Sequence, residues 1–216
     1  MDIINPELPP YLLAHCTPAD DVLRDLAAET RAAFPADAQM QISQDEGALL
    51  TMLVRLTGVR RAVEIGVFTG YSAICIARGL PPDGRLLACD IDETFTAVAR
   101  RYWARAGLDD RIDLRLAPAI ETLRALPAGP PIDFAFVDAD KTGYRAYYDE
   151  LVPRLRPGGL IVLDNVLRDG NVLRATKPAD VAIREINDHI MADERVESVM
   201  LPVRDGVTLV RKRESG

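Results

Sequence analysis

The amino-acid sequence predicts a doubly wound α/β fold, in which a mostly parallel sheet has helices on both faces. Short apolar runs rich in β-branched residues recur along the chain, as in buried parallel strands. Segments with helical periodicity separate these runs, and no internal repeat or low-complexity linker interrupts the alternation. A chain of 216 residues is long enough for one sizeable α/β domain and too short for two comfortable ones.

Two amphipathic helices are predicted ahead of the sheet. The first covers about 20–34, and the second begins at Ser43 and continues to Leu56. Ser43 and Glu46 have the spacing of a capping box, in which each side chain bonds the backbone N–H group of the other residue. Five strands follow near 61–66, 85–90, 111–116, 132–138 and 159–164, separated by helices near 71–79, 93–106, 118–125 and 143–155.

The end of the chain predicts one further helix and a pair of strands. The helix covers about 178–191, and the strands cover 196–201 and 207–210. Between the strands lies Asp205-Gly206, a dipeptide that favours the tight turn of a β-hairpin. We therefore expect the sheet to close with a hairpin.

Two acidic clusters each follow directly on an apolar run. Asp138 follows the run 132–137, and Asp164 and Asn165 follow the run 160–163. Because the carboxyl ends of parallel strands meet at one edge of a sheet, these oxygen donors should converge. Two carboxylates and an amide, with no His or Cys nearby, suit Mg²⁺, Mn²⁺ or Ca²⁺ better than zinc. A single acid after a strand is more often a helix cap, but two such clusters at the same edge favour a metal site.

A glycine turn after the first strand predicts a ligand site. Gly66 and Gly70 let the backbone turn tightly, and the helix that starts near Ser72 offers free N–H groups. Asp90 ends the next apolar run, where a carboxylate can accept hydrogen bonds from both hydroxyls of a ribose. A nucleotide-like ligand is therefore expected. Phe68 occupies the position of the middle glycine of the dinucleotide fingerprint, which argues against an NAD-dependent dehydrogenase.

Together these motifs resemble the cation-dependent class I O-methyltransferases, which include the caffeoyl-coenzyme A and catechol O-methyltransferases. The resemblance covers most of the chain, and four segments carry it: Met40-Gln41-Ile42-Ser43, the glycine turn 63–72, the acidic segment 136–141, and Asp164-Asn165-Val166-Leu167. It implies the Rossmann-like methyltransferase fold, with seven strands of which the last is antiparallel. It also implies a single domain over 1–216, made of an N-terminal helical segment, 1–40, that covers the acceptor site and a donor-binding core, 41–216.

The resemblance implies S-adenosylmethionine as methyl donor, with S-adenosylhomocysteine as product, and a divalent cation, Mg²⁺ before Mn²⁺ or Ca²⁺. The implied contacts to the donor are Ile42 through its backbone, Glu64, Gly66, Val67, Ser72, Asp90, Ala119, Asp140 and Tyr147. Asp138, Asp164 and Asn165 are the implied metal ligands, and Lys141 takes the place of the catalytic lysine beside Asp138.

Elementary chemistry is consistent with that assignment. A phenol with a pKa of about 10 is mostly protonated at neutral pH, and a divalent cation bound through its oxygen lowers that pKa. Two adjacent hydroxyls of a catechol can replace two waters on Mg²⁺, so we expect a small vicinal dihydroxy aromatic acceptor. Lys141 could take the phenolic proton or stabilise the phenolate by its charge. The natural acceptor, meta or para regiochemistry and the choice of cation are left open by the sequence.

Composition excludes some classes of partner. With 48% hydrophobic and 27% charged residues, the chain is typical of an ordinary globular protein. No stretch approaches a membrane span and the first residues lack a signal pattern, so we expect a cytoplasmic protein without a membrane partner. The net charge of -7 argues against broad nucleic-acid binding. We expect a homodimer from the resemblance.

Two alternative functions stay open. Methylation of a hydroxylated uridine in tRNA is known among bacterial relatives of the family and would require a basic approach surface. A non-catalytic S-adenosylmethionine-binding module is the other alternative. The set of Asp138, Lys141, Asp164 and Asn165 speaks against such a module, because a protein that only holds the donor needs no metal ligands.

Overall fold

The computed structural model describes residues 7–127 and 131–214. Within these residues the α-helices are α1 (Leu8–Ala14), α2 (Asp21–Ala33), α3 (Gln44–Leu56), α4 (Tyr71–Gly79), α5 (Glu93–Arg105), α6 (Ala119–Ala125), α7 (Tyr144–Arg154) and α8 (Pro178–Ala192). The strands are β1 (Arg61–Ile65), β2 (Arg85–Asp90), β3 (Ile112–Leu116), β4 (Ile132–Val137), β5 (Leu155–Leu163), β6 (Val196–Leu201) and β7 (Val207–Lys212). None of the helices in the described part of the chain combines the length and the apolarity needed to cross a bilayer.

The seven strands form one sheet in the order β3-β2-β1-β4-β5-β7-β6. Strands β1 to β5 pair in parallel, whereas β7 pairs antiparallel with both β5 and β6. The predicted doubly wound sheet with a closing hairpin and an antiparallel last strand is therefore confirmed. The strand order reverses between β1 and β4, and ligands of such sheets bind outside the carboxyl ends of the strands at this point.

Two strands are longer than the sequence predicts. β5 begins at Leu155 rather than near 159, because Leu155 already pairs with Ile132 and a register shift then accommodates Pro157 and the two glycines after it. Local sequence rules assign a proline and paired glycines to a loop, whereas here they form an irregular strand start. β7 continues to Lys212 rather than ending near 210, since Lys212 still pairs with Val196.

The core consists of two apolar layers, one on each face of the sheet. In β4 every residue is buried and successive side chains point to opposite faces, so Phe134 and Phe136 join one layer while Ala135 and Val137 join the other. The first layer packs against α2 to α5 and the second against α6 to α8. Burial on both faces explains why the sequence shows an unbroken apolar run here.

Helix α2 is fastened over the carboxyl edge of the sheet. The Thr30 hydroxyl donates a hydrogen bond to the Thr69 hydroxyl at 2.9 Å, which links α2 to the loop after β1. The rings of Phe34 and Phe68 both pack edge-on against Phe95 of α5, with centroid distances of 5.0 and 4.7 Å. These contacts hold the N-terminal helices beside the place where ligands of the sheet are expected.

The capping box predicted at the start of α3 is wrong, although the helix itself is present. Ser43 has the extended backbone of a cap, but its side chain makes no cap hydrogen bond. The Glu46 carboxylate is buried and does not reach the Ser43 N–H group. At the start of α5, by contrast, Asp92 accepts hydrogen bonds from the N–H groups of Thr94 and Phe95. The Glu46 side chain instead lies near Asp164 and Asp138 at the carboxyl edge of the sheet.

Candidate active site

The ends of β1, β4 and β5 place the two acidic clusters side by side. Ile65, Val137 and Leu163 are aligned in the sheet register. Directly after them, the N–H group of Asp138 donates to the carbonyl of Ile65 at 2.8 Å, and that of Asp164 donates to the carbonyl of Val137 at 3.0 Å. The carboxyl ends of these strands are therefore aligned, and Asp138 and Asp164 directly follow neighbouring strands at one edge of the sheet, as predicted.

Lys141 and Tyr144 connect these strand ends. The Lys141 ammonium donates to Asp138 Oδ1 at 2.8 Å and lies 2.8 Å from the Tyr144 hydroxyl. That hydroxyl is fully buried and can donate to the carbonyl of Val137 at 3.1 Å or to that of Asp164 at 3.0 Å. Tyr144 therefore bridges the ends of β4 and β5 and fixes the position of the lysine.

Asn165 has a strained backbone. Its φ angle is +55°, in the left-handed region that non-glycine residues seldom occupy. Its N–H group donates to Oδ1 of Asp164 at 2.6 Å, which holds that carboxylate in place. The Asn165 side-chain amide has no hydrogen-bond partner among the described residues and stays free to accept a ligand. Such strain is typical of functional sites, where the surrounding structure enforces it.

The acids at this edge are buried close to one another. Burial, and then the carboxylate of Asp138, raise the pKa of Asp164 to about 7. Burial also raises the pKa of Asp138, although the Lys141 ammonium beside it acts in the opposite direction. A third acid, Glu46 of α3, is only 1% exposed, and burial together with Asp164 and Asp138 raises its pKa to about 9. The edge thus brings together three carboxyl groups whose pKa values are all raised.

The donor chemistry of this edge fits a hard divalent cation. Carboxylate oxygens from Asp138 and Asp164 and the amide of Asn165 are the ligand types that Mg²⁺, Mn²⁺ and Ca²⁺ prefer. Within residues 7–127 and 131–214, no three Asp, Glu, His or Cys side chains converge closely enough to form a cage by themselves. The predicted set has only two carboxylates, and Mg²⁺ ordinarily keeps several waters.

The glycine turn after β1 closes tightly against the same edge. Gly66 has a φ angle of +94°, and a Cβ atom added there would lie 2.3 Å from the carbonyl oxygen of Asp138. Only glycine fits this position. Gly70 has a φ angle of +89° and precedes α4, where an added Cβ would lie 2.7 Å from Nε1 of Trp103. Trp103 is buried in the core, so its ring cannot move aside for a side chain at Gly70.

Asp90 lies next to this turn, but its oxygens already have partners. Oδ2 accepts hydrogen bonds from the N–H groups of Val67 at 2.8 Å and Phe68 at 2.9 Å. Oδ1 accepts from Ile91 at 2.7 Å and Asp92 at 2.9 Å. The predicted contact to ribose hydroxyls would therefore share a carboxylate that also holds the loop. The sequence did not indicate that Asp90 also holds the loop after β1 through its backbone N–H groups.

Glu64 is fully buried near the end of β1, and neither of its oxygens has a full hydrogen bond. Burial raises its pKa to about 8, the carboxylates of Asp90 and Asp138 add to the rise, and the Ser72 hydroxyl partly offsets it. A buried carboxylate of this kind suits a cationic group of a ligand. Ser72 is the second residue of α4, as the glycine turn predicts.

The other predicted donor contacts surround this turn. Ile42 is buried just before α3, and Ala119 is the buried first residue of α6 at the carboxyl edge. The Tyr147 hydroxyl donates to Oδ1 of Asp140 at 2.5 Å, which fixes that exposed carboxylate. Every predicted site residue thus lies at the carboxyl edge of the sheet or in the segments that border it.

The sequence matches the family described as O-methyltransferase over residues 14–213. The chain belongs to the O-methyltransferase family. Catechol O-methyltransferase domain-containing protein 1 from Mus musculus is 38% identical over 94% of this chain and 78% of its own length. Caffeoyl-CoA O-methyltransferase 2 from Zea mays is 42% identical over 80% of this chain and 70% of its own length. The family, fold and enzyme class expected from the sequence are confirmed.

A solved structure supports the same placement. The O-methyltransferase from Bacillus cereus, determined in complex with SAH, superposes with a TM-score of 0.88. It is 32% identical, and the match covers 96% of this chain and 97% of that one. The sheet order and the closing hairpin are therefore those of a solved O-methyltransferase.

A cavity of about 610 Å³ opens beside the carboxyl edge of the sheet. Its lining includes Thr30 and Arg31 of α2, Ile42, Tyr71 and Arg204. None of the three predicted cation ligands belongs to this lining among the described residues, so the cavity adjoins the acids and does not enclose them.

Two residues of the candidate site, Tyr144 and Glu46, were not predicted from the sequence. Tyr144 lies three residues after Lys141, a spacing that brings side chains together on a helix, and this was the available signal. Glu46 gave the opposite signal, because its spacing from Ser43 matched a capping box. Only the packing of α3 against the sheet shows that Glu46 faces the acids.

Proposed function

We propose that this O-methyltransferase transfers a methyl group from S-adenosylmethionine to a hydroxyl of a small aromatic acceptor with two vicinal hydroxyls, in a reaction that depends on a divalent cation, Mg²⁺ before Mn²⁺ or Ca²⁺. The observation that carries the proposal is the shared edge. The turn at Gly66 and the acids Asp138 and Asp164 stand at the ends of neighbouring strands, with Lys141 beside them.

The residues around the glycine turn would bind the donor. When bound, S-adenosylmethionine supplies a sulfonium that carries the transferable methyl group. The buried carboxylate of Glu64 and the exposed one of Asp140 complement its cationic groups, and Tyr147 holds Asp140 in place. Gly66 lets the backbone approach, and Asp90 keeps the loop closed around the ligand. The relative from Bacillus cereus, whose structure holds SAH, supports this assignment.

Smaller contacts complete the proposed donor site. Ile42 would contribute its backbone from the segment before α3, and Val67 belongs to the turn held by Asp90. Ser72 and Ala119 lie in the first turns of α4 and α6, where backbone N–H groups are free to donate.

Asp138, Asp164 and Asn165 would hold the cation. A divalent ion bound there supplies Lewis acidity that lowers the pKa of a hydroxyl bound to it. Asp164 is oriented by the N–H group of Asn165, and Asp138 by Lys141. Three protein ligands leave positions for two adjacent hydroxyls, which is the reason for proposing a catechol-like acceptor.

Lys141 is the proposed catalytic residue, with Asp138 beside it. Its ammonium is held by Asp138 and by the Tyr144 hydroxyl, each at 2.8 Å, and it is largely buried. From this position the side chain can accept the phenolic proton when it is a neutral amine, or stabilise the phenolate by its charge when it is an ammonium. The acceptor oxygen would then attack the methyl carbon in line with the sulfur.

The N-terminal segment, 1–40, would cover the acceptor within a single domain over 1–216. Thr30 and Arg31 line the cavity beside the carboxyl edge of the sheet, which supports this role for α2; residues 1–6 of the segment lie outside the described residues. We also propose a homodimer in the cytoplasm. Light scattering that gives the mass of one chain at micromolar concentration would contradict the dimer.

Methyl transfer from labelled S-adenosylmethionine tests the reaction. We expect label in catechols with Mg²⁺, little label after excess chelator, and none in matched mono-hydroxyl phenols. Equal labelling with chelator would remove the cation from the mechanism. Label in hydroxyuridine-containing tRNA and in none of the catechols would replace the small acceptor with RNA.

A further inference from the structure

We propose that Glu46 is a positioning residue of the cation site, which acts on the ion through Asp164. The inference rests on the cation dependence proposed above. The Glu46 side chain is 1% exposed, and neither of its oxygens has a hydrogen-bond donor. Its carboxylate neighbours that of Asp164, the proposed ligand after β5.

A purely structural role does not explain this position. Glu46 is the third residue of α3 but does not cap it, and the neighbouring Asp45 already places negative charge at that helix terminus. A carboxylate removed from water without a donor costs several kcal/mol, so such groups are rare unless a cation accounts for them. The side chain is therefore best explained by what the sheet edge binds.

The charges facing Glu46 come from three other elements. Asp164 follows β5, Asp138 follows β4, and the exposed Arg204 lies in the turn between β6 and β7. Arg204 favours the ionised form of Glu46, whereas both aspartates oppose it. The Lys141 ammonium is engaged by Asp138, and a divalent ion at this edge would bring further positive charge to the neighbouring acids.

Glu46 acts beside the ligands and is not one of them. In the described part of the chain, three acids do not converge into a cage. The Asp164 carboxylate is held on Oδ1 by the N–H group of Asn165, and Glu46 stands against the same carboxylate. A partner in this position orients a ligand and adds negative charge near the ion. Removing such partners typically lowers metal affinity about 10- to 100-fold.

Mn²⁺ binding without donor or acceptor tests the inference. We expect Glu46→Gln to weaken Mn²⁺ binding about 10- to 100-fold by titration calorimetry, while S-adenosylmethionine affinity stays within about twofold of the wild type. Asp45→Asn is the matched control, because it removes one charge from the same helix turn without touching Asp164. It should leave Mn²⁺ affinity unchanged.

Thermal unfolding in chelator separates positioning from structural support. Glutamine keeps the size of the Glu46 side chain, so the melting temperature of the cation-free protein should stay unchanged if Glu46 acts only on the ion, whereas loss of a structural contact would lower it. A lower melting temperature, or Mn²⁺ affinity equal to the wild type, would overturn the inference. If Asp164→Asn abolishes Mn²⁺ binding while Glu46→Gln does not change it, the proposed cation site stands and only the role of Glu46 fails. If the wild type binds no Mn²⁺, both fail.

Discussion

The loop after β1 and the loops after β4 and β5 differ in how their buried polar groups are satisfied. On the proposed donor side, Asp90 accepts hydrogen bonds from four backbone N–H groups, whereas the buried Glu64 has no hydrogen-bond donor. On the proposed cation side, the carboxyl groups of Asp164 and Glu46 are neighbours, and Glu46 has no hydrogen-bond donor. Backbone N–H groups therefore hold Asp90 in place, whereas none holds Glu46.

The two regions also differ in how many non-glycine residues adopt left-handed conformations. The loop after β1 has one such residue, Phe68, beside Gly66 and Gly70, which adopt this conformation without cost. The loop after β5 has Asn165, Arg168 and Asp169 in that region, each at a cost of about 1 kcal/mol. Conformations of this kind cluster at functional sites, which is consistent with the cation site proposed at this loop.

Removing Asp164 should break the cation side with the largest effect. Asp164→Asn keeps the size of the side chain and an acceptor for the Asn165 N–H group, but it removes a charged ligand. We expect Mn²⁺ binding and cation-dependent turnover to be abolished, a loss of at least about 1,000-fold in kcat. Calorimetry should show S-adenosylmethionine affinity close to that of the wild type.

Asp90→Asn is the corresponding substitution on the proposed donor side. It removes the charge that the N–H groups of Val67 and Phe68 bind, so donor affinity should fall about tenfold while Mn²⁺ affinity is preserved. If either variant affects both ligands equally without unfolding, the two sides are not separable and the assignment of ligands is wrong.

Lys141→Ala should have a smaller effect than the loss of a ligand. General acid–base catalysis typically contributes about 100- to 10,000-fold, and we expect kcat to fall within that range with little change in donor KM. The pH profile of kcat distinguishes the roles, because loss of a base removes its ascending limb. Lys177→Ala is the control, since Lys177 is exposed ahead of α8. An unchanged rate across neutral pH would remove Lys141 from the mechanism.

Much of the fold and of the donor turn follows from sequence because periodicity and glycine geometry are local. The strand ends at Asp138 and Asp164 were predictable, since apolar runs mark buried strands and parallel strands share an edge. The early start of β5 was not, because pairing with Ile132 overrides the turn preference of Pro157.

The unpredicted site residues depend on tertiary packing. The Ser43 and Glu46 spacing is equally consistent with a cap and with an inward-facing acid, and only the placement of α3 decides between them. Likewise, the second task of Asp90 depends on how closely the loop at Val67 approaches β2. Distances between elements are not contained in local patterns.

The pH dependence of the free energy of unfolding tests the role of the buried Glu64 on the proposed donor side. Its pKa is about 8 in the folded chain, raised chiefly by burial, against about 4.3 for an unperturbed glutamate. The folded state therefore holds a proton that the unfolded state releases between these values. This stabilisation is complete below about pH 4 and is lost as pH rises through 8.

In the ligand-free protein, stability should thus fall between pH 5 and 8 by up to about 1.4 kcal/mol per pH unit from Glu64, or about 3 °C in melting temperature. Glu64→Gln should reduce that slope, whereas the exposed Glu121→Gln should not. Glu46 also has a raised pKa and contributes a pH dependence of stability of the same sign, so part of the dependence should remain in the Glu64→Gln variant.

Saturating S-adenosylmethionine should reduce the pH dependence of the wild-type melting temperature if a cationic group of the donor pairs with Glu64. A slope that neither the mutation nor the donor changes would show that Glu64 does not face the donor, and would leave the donor side without its one unpartnered acid.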